Sequence, residues 1–183
     1  MKKKCEKRNK EKNIGKDSKK NKKVIEMDQY FTNHDTALRT WKLLTNVLMF
    51  EMDKYCFIEP SAGSGMFFNL LPVQHRIGFE LDSKLCLLHS EYIHQDFLTV
   101  DHINHPNIKI AIGNPQFSCN TTGNMGRKKN IQLLFIQKCE ALGCNMIGFI
   151  VGASMQRFRS HNPIKNMMLI QSTFMPQTMF TNN

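Results

Sequence analysis

The chain has 183 residues, enough for one hydrophobic core and too few for two, and it carries a net charge of +10. Its six cysteines show no C-x-x-C spacing, so we expect free thiols in a reducing compartment, without a disulfide framework or a structural metal site. No apolar run is long enough to span a membrane, and no signal-peptide core follows the basic N-terminus. These features predict a soluble intracellular protein, cytoplasmic or nuclear.

The positive charge is concentrated in residues 1–23, which contain twelve Lys or Arg and three acidic residues. A segment this charged and this poor in apolar residues cannot offset its ordering entropy by burial, so we predict a disordered basic arm. The folded domain is predicted to occupy residues 24–183. Attraction to nucleic-acid phosphates, a localisation signal and a solubilising tail all remain open as roles for the arm.

Three helices are predicted from the spacing of apolar residues. In the first, apolar residues recur at helical spacing from Leu38 to Leu48, with Asp35 as its N-cap. The second is predicted at Met66–Leu71, where Pro72 would end it. The third and most regular is predicted at Ile131–Leu142.

Short apolar runs predict five strands that alternate with helical segments. In chain order these strands are Tyr55–Glu59, Arg76–Leu81, Tyr92–Gln95, Ile108–Gly113 and Met146–Gly152. This alternation predicts an α/β fold with a mostly parallel sheet and helices on both faces. The last strand pair is expected in Asn166–Asn183, where the pattern stops short of a final strand, which suggests a shortened copy or a sheet that a partner completes.

Unusual residues follow the first two strands, at the sheet edge where parallel α/β proteins bind ligands. The first strand leads into "EPSAGSG", in which Gly63 and Gly65 allow a tight turn and a close backbone approach to a ligand. Glu59 supplies a carboxylate that can hold an ammonium group. In "FELD", Glu80 ends the second strand, about where a carboxylate can accept ribose hydroxyls.

The loop after the third strand reads "QDF", in which Asp96 can accept from an adenine amino group and Phe97 can cover the ring. An ammonium group, a ribose and an adenine in this order describe S-adenosylmethionine. A dinucleotide-binding domain would share the glycine loop after the first strand and the carboxylate after the second. It would have no use for Asn114 and Pro115, which the fourth strand presents at its tip.

The order of "DQYFT" (28–32), "EPSAGSG", "FELD", "QDF" and "NPQF" (114–117) resembles the amino-methyltransferases that modify exocyclic nitrogens. Within that group, the chain is most similar to small adenine methyltransferase-like proteins of viral and microbial origin. The resemblance implies a Rossmann-like class I methyltransferase fold, S-adenosylmethionine as cofactor, and methylation of adenine N6 in DNA or RNA. The cofactor contacts that it implies are Tyr30, Phe31, Thr32, Glu59, Gly63, Gly65, Glu80, Asp96 and Phe97.

The resemblance assigns the target amino group to Asn114, Pro115 and Phe117. If the Asn114 side-chain oxygen and the Pro115 carbonyl each accept one N–H, the delocalised nitrogen lone pair is freed towards the methyl donor. Such a pocket requires a flipped or single-stranded base, which Phe117 would stack against. The family usually has a second proline where this chain has Gln116, so we expect a looser loop.

Substrate recognition leaves several alternatives open. Arg127 and Lys128 are candidate phosphate contacts in a loop of Asn, Thr and Gly. The chain has no room for a separate recognition domain, so the mobile loop, the basic arm or a partner subunit would have to select the target. A protein glutamine amide suits the same geometry as adenine. A catalytically silent nucleic-acid-binding subunit is the non-enzymatic alternative.

Overall fold

The computed structural model describes residues 31–49, 51–116, 130–155, 164–175 and 180–181. The basic arm 1–23 and the domain's first residues therefore lie outside the described residues. So do four of the candidate site residues: Tyr30, Phe117, Arg127 and Lys128.

Five parallel strands form the central sheet. In chain order they are β2 (Tyr55–Glu59), β3 (Arg76–Glu80), β4 (Tyr92–His94), β5 (Ile108–Gly113) and β6 (Met146–Phe149), and a two-residue β1 (Phe31–Thr32) precedes them. The order across the sheet is β4-β3-β2-β5-β6. The chain thus builds outward from β2 in one direction and then restarts at β5 on the other side. This arrangement confirms a Rossmann-like α/β fold and places the topological switch point between β2 and β5.

Helices cover both faces of the sheet, as predicted. These are α1 (His34–Thr45), a short α2 (Ser83–Leu88) and α3 (Ile131–Ala141). Successive side chains of a strand point to opposite faces, so Phe57 packs in one core cluster with Leu44 of α1. Ile58 packs in the other cluster with Phe135 of α3. β2 is buried along its whole length, which explains its uninterrupted apolar sequence.

The structure corrects three predictions about helices. The N-cap of α1 is Asn33 rather than Asp35, because the Asn33 side chain accepts the Thr36 backbone N–H at 2.8 Å. Met66–Leu71 forms only a 3-10 turn at Phe68–Leu70, since a stretch confined between glycines and Pro72 is too short for a cooperative helix. The short helix α2 was not predicted; Asp82 caps it by accepting the Lys84 N–H.

The predicted strand pair in Asn166–Asn183 is not found in the described residues. Residues 164–175 form no helix or strand, and a two-residue β7 (Phe180–Thr181) pairs antiparallel with β1 instead of extending the main sheet. Pairing with β7 fixes the backbone of β1 next to the strand tips that carry the site. Among the helices of the described segments, none is both long and apolar enough to cross a membrane.

Candidate functional site

The glycine loop after β2 turns in the left-handed region at two positions. Gly63 has φ of +54° and Gly65 has φ of +81°, conformations that residues with a Cβ rarely adopt. A Cβ on Gly65 would lie 2.7 Å from the Tyr92 hydroxyl, whereas one on Gly63 would meet nothing within 4 Å. Gly65 therefore allows close packing on β4, and Gly63 leaves open space beside the loop.

Glu80, at the tip of β3, holds the glycine loop through its carboxylate. Oε2 accepts the Gly63 N–H at 2.7 Å, and Oε1 accepts the N–H groups of Leu81 and Asp82, both at 2.8 Å. The side chain is only 8 % exposed. A carboxylate offers about four acceptor positions, so these three bonds leave room for about one more donor. Glu80 therefore has a structural role that the sequence reading did not predict.

Glu59, at the tip of β2, is a buried carboxyl group with one unpartnered oxygen. It is 2 % exposed, and its Oε2 has no hydrogen-bond partner among the described residues. Burial raises the pKa of Glu59 well above its ordinary value, and the negative charge of Glu80 acts in the same direction. The Phe68 backbone N–H lowers it, but by less. The native protein thus favours the protonated carboxyl group.

Asn114, directly after β5, has its side-chain amide oriented by β1. Its Nδ2 donates to Oγ1 of Thr32 at 3.1 Å, across 82 positions of sequence. Its Oδ1 is buried and accepts no hydrogen bond from the part of the chain that the structure describes. The amide thus has a satisfied donor side and an unused acceptor side, which is the arrangement that gripping an N–H group requires.

Pro115 is fully buried, and its carbonyl is engaged by a residue that the sequence analysis missed. Gln132, in the first turn of α3, donates from Nε2 to the Pro115 oxygen at 3.4 Å. Its Oε1 accepts the Gly152 N–H, beyond β6, at 3.0 Å. The two acceptors assigned to the target amino group are therefore each adjacent to a second polar side chain, Thr32 for one and Gln132 for the other.

A small crevice at the switch point brings several of these residues together. Its volume is about 40 Å³, and it is lined by Thr32, Glu59, Ser61, Ala62, Gly63, Ser64, Met66, Phe67 and Asn114. Three of these residues carry a buried side-chain oxygen without a partner in the described structure: Glu59, Ser61 and Asn114. Whole cofactors occupy sites of roughly 300–1,000 Å³, so only a small group fits here as the chain stands. Unpartnered oxygens that lie close together suit a ligand that carries several N–H donors.

Four predicted cofactor contacts do not line this crevice: Gly65, Glu80, Asp96 and Phe97. Asp96 caps a 3-10 turn by accepting the Leu98 N–H at 2.9 Å. The Phe97 ring is 2 % exposed and packs against Phe79 and Phe135, with ring centroids 5.3 Å and 5.8 Å away. The ring thus belongs to the core cluster on the α3 face of the sheet, and its role as a cofactor contact stays a prediction.

Tyr92 and Ser61 are polar residues near the site that the sequence analysis did not single out. The Tyr92 hydroxyl is buried without a partner among the described residues, and burial raises its pKa, with Glu59 and Glu80 acting in the same direction. In the sequence, Tyr92 is an ordinary member of a predicted strand, so nothing there indicated that it lies near the site. Ser61 had a signal, since it is a polar residue inside the glycine loop.

A larger groove, of about 280 Å³, runs along the outer surface of α1. Its lining residues are Asp35, Leu38, Arg39, Lys42, Leu43 and Asn46. Its lining contains none of the buried unpartnered atoms found in the described residues. No cluster of three or more metal-ligating side chains occurs within the described ranges. The crevice between β2 and β5 is therefore the stronger candidate site.

Comparison of the chain with protein-family models and with curated proteins found no match. Its function must therefore be inferred from its own residues and fold.

Proposed function

We propose that the protein is an S-adenosylmethionine-dependent methyltransferase that acts on the exocyclic N6 amino group of adenine in DNA or RNA. The observation that carries the proposal is the unused Oδ1 of Asn114, which shares a crevice at the switch point with the unpartnered Oε2 of Glu59. One group can accept from a target amine, and the other can hold a cationic ligand.

The residues present fit the methionine end of this cofactor. Glu59 provides a buried acceptor for an ammonium group, and ionisation against that charge would replace its lost hydration. The open space beside Gly63 allows a ligand to approach the backbone. Glu80 retains acceptor capacity for about one ribose hydroxyl, which supports a contact with one hydroxyl more readily than with both.

Asn114 and Pro115 would act on the target by positioning rather than by strong base catalysis. When bound, S-adenosylmethionine would supply a methyl group on a sulfonium; transfer would break the S–CH3 bond, leave a neutral thioether and release one proton from the nitrogen to solvent. Asn114 Oδ1 and the second lone pair of the Pro115 carbonyl would each accept one N–H of the target. Because Thr32 accepts from the Asn114 amide nitrogen and Gln132 donates to the Pro115 oxygen, both acceptors are already oriented, and little reorganisation would be needed at the moment of reaction.

The second candidate is a catalytically silent nucleic-acid-binding subunit that keeps the fold. Two observations favour it: Gln132 already occupies one lone pair of the Pro115 carbonyl, and Glu80 already accepts three backbone N–H groups. Both oxygens keep acceptor capacity, so neither observation removes the enzymatic proposal. Recognition of nucleic acid by the basic arm, Arg127 and Lys128 stays a prediction for both candidates.

A methyl-transfer assay with an Asn114→Ala variant tests the proposal. Purified full-length protein is incubated with methyl-labelled cofactor and with single- and double-stranded DNA, RNA, or a glutamine-containing peptide. We expect labelled N6-methyladenine in one nucleic acid, and a rate that falls roughly 10²- to 10³-fold in Asn114→Ala while cofactor affinity is retained. The exposed Asn145→Ala is the matched control and should keep full activity.

The other outcomes separate the alternatives. Cofactor binding with label in the peptide alone would replace adenine by a glutamine amide as the substrate. Binding of nucleic acid without binding of cofactor would favour the silent subunit. Equal activity of Asn114→Ala and the unmodified protein would show that Asn114 does not hold the target.

A further inference from the structure

Gln132 occupies a position where an apolar side chain would be expected. It shares a helix face with Phe135 and Cys139, three and seven residues further on, and like them it is buried, with 2 % of its surface exposed. Burying an amide is unfavourable unless its polar atoms are hydrogen-bonded. Both ends of this amide are used, one by the Pro115 carbonyl and one by the Gly152 N–H. What the amide adds over a methionine of similar size is this pair of bonds.

We infer that Gln132 is a positioning residue that fixes the Pro115 carbonyl for the target amino group. The inference rests on the proposed methyl transfer. Gln132 would act on the target only through the Pro115 carbonyl that it orients. A carbonyl oxygen has two lone pairs, so donation from Gln132 to one sets the direction in which the other is presented. Thr32 does the equivalent for Asn114, since it takes the amide N–H and leaves Oδ1 unused. Each of the two target acceptors thus has its own orienting side chain.

The loop itself gives a reason for such a residue. Gln116 stands where the family that the chain resembles usually has a second proline, so the loop lacks one ring that would restrict its backbone. The bond from Gln132 supplies a restraint from outside the loop, anchored on α3. The same side chain also accepts from Gly152, so it joins the tip of β5 to the segment that follows β6. A displacement of that segment would be transmitted to the Pro115 carbonyl.

Two substitutions at Gln132 separate positioning from packing. Gln132→Met keeps the volume and removes both hydrogen bonds. Misplacement of a reacting group by about 1 Å can lower a rate by roughly 10²-fold, so we expect kcat to fall by roughly 10- to 100-fold. Cofactor affinity and the KM for nucleic acid should stay within about threefold, because neither Glu59 nor Asn114 is altered. The exposed Gln74→Met is the control and should leave kcat unchanged.

Gln132→Glu provides a readout that a purely structural role would not produce. Its carboxyl group keeps an acceptor for the Gly152 N–H, so slow hydrogen exchange at Gly152 should persist, whereas Gln132→Met should lose it. Only the protonated carboxyl group can donate to Pro115. The kcat of Gln132→Glu relative to the unmodified protein should therefore rise as pH falls. The ratio cancels the pH dependence that both proteins share, including any contribution from Glu59.

The outcomes distinguish failure of this inference from failure of the proposed function. If the unmodified protein transfers no methyl group to any acceptor, both are overturned. If it is active and Gln132→Met keeps its kcat per folded molecule, the positioning role alone is wrong. A relative kcat of Gln132→Glu that does not change with pH would likewise overturn it. Reduced kcat in Gln132→Met with a pH-dependent recovery in Gln132→Glu supports it.

Discussion

Replacing Glu59 by glutamine should stabilise the protein, and by an amount that grows with pH. Burial raises the pKa of this carboxyl group well above its ordinary value of 4.5, so the folded chain holds a proton that the unfolded chain releases. Its full contribution to stability is present below pH 4.5 and is lost as pH rises towards the native pKa. The uncharged amide of the Glu59→Gln variant would keep the shape of the side chain without this loss.

The expected size follows from proton linkage. One proton bound more tightly by the folded state makes the free energy of unfolding fall by about 1.4 kcal/mol for each pH unit. The difference between Glu59→Gln and the unmodified protein should therefore be constant below pH 4.5, rise with about that slope, and level off above the native pKa. Other titrating groups are common to both proteins, so the difference isolates Glu59.

Urea denaturation of both proteins at half-unit steps from about pH 4 to 8 measures this difference, with equal m-values as a check that the unfolding reaction is the same. The exposed Glu51→Gln is the matched control, and its effect should stay within about 0.5 kcal/mol. A difference that does not vary with pH, or an unmodified protein that gains on the variant as pH rises, would refute the reasoning. The first result would mean that folding does not shift the pKa of Glu59, and the second that the native protein stabilises the ionised carboxylate.

Three further predictions concern the glycine loop after β2 and the two carboxylates beside it. If a cationic ligand binds against ionised Glu59, binding of S-adenosylmethionine below the native pKa of Glu59 should release close to one proton, and the affinity for the cofactor should rise with pH. Titration calorimetry in buffers of different ionisation enthalpy measures the number of protons released, and release of none would contradict the prediction. Glu80→Ala should lower the stability of the ligand-free protein by about 1–3 kcal/mol because three backbone N–H groups lose their acceptor, and unchanged urea denaturation would contradict that role. Gly65→Ala should lower the melting temperature more than Gly63→Ala, because both strain a left-handed backbone but only the former places a Cβ against Tyr92. Equal decreases in melting temperature would show that the Tyr92 side chain moves aside at little energetic cost.

The strands were the most predictable part of the fold. Tyr55–Glu59 and Ile108–Gly113 match their predicted bounds because strands buried on both faces are mostly apolar, with Glu59 and Lys109 as the charged exceptions. Helix predictions failed where the element was short. At Met66–Leu71 the flanking glycines and Pro72 outweighed the apolar pattern, and α2 has only six residues, too few to show a period.

The candidate site was predictable where it depends on strand tips and not where it depends on side-chain direction. The rule that ligands bind at the carboxyl ends of parallel strands correctly grouped Glu59, Gly63 and Asn114 beside one crevice. The packing of the Phe97 ring against Phe79 was not predictable, because the direction of the ring depends on a 3-10 turn that the sequence pattern does not reveal. Gln132 was missed although its spacing from Phe135 was a usable signal, since a polar residue in a helix is usually taken to face solvent.

The crevice concentrates buried oxygens that have no hydrogen-bond partner among the described residues, which makes it a candidate ligand site. A buried polar group without a hydrogen bond costs about 1–3 kcal/mol, and three such oxygens lie on the residues that line one small cavity, those of Glu59, Ser61 and Asn114. Apolar residues at two of these positions would remove much of that cost without changing the fold. Stability alone therefore does not account for them. A ligand that donates to all three would recover the cost on binding, so its affinity would come from hydrogen bonds that the folded chain cannot make by itself.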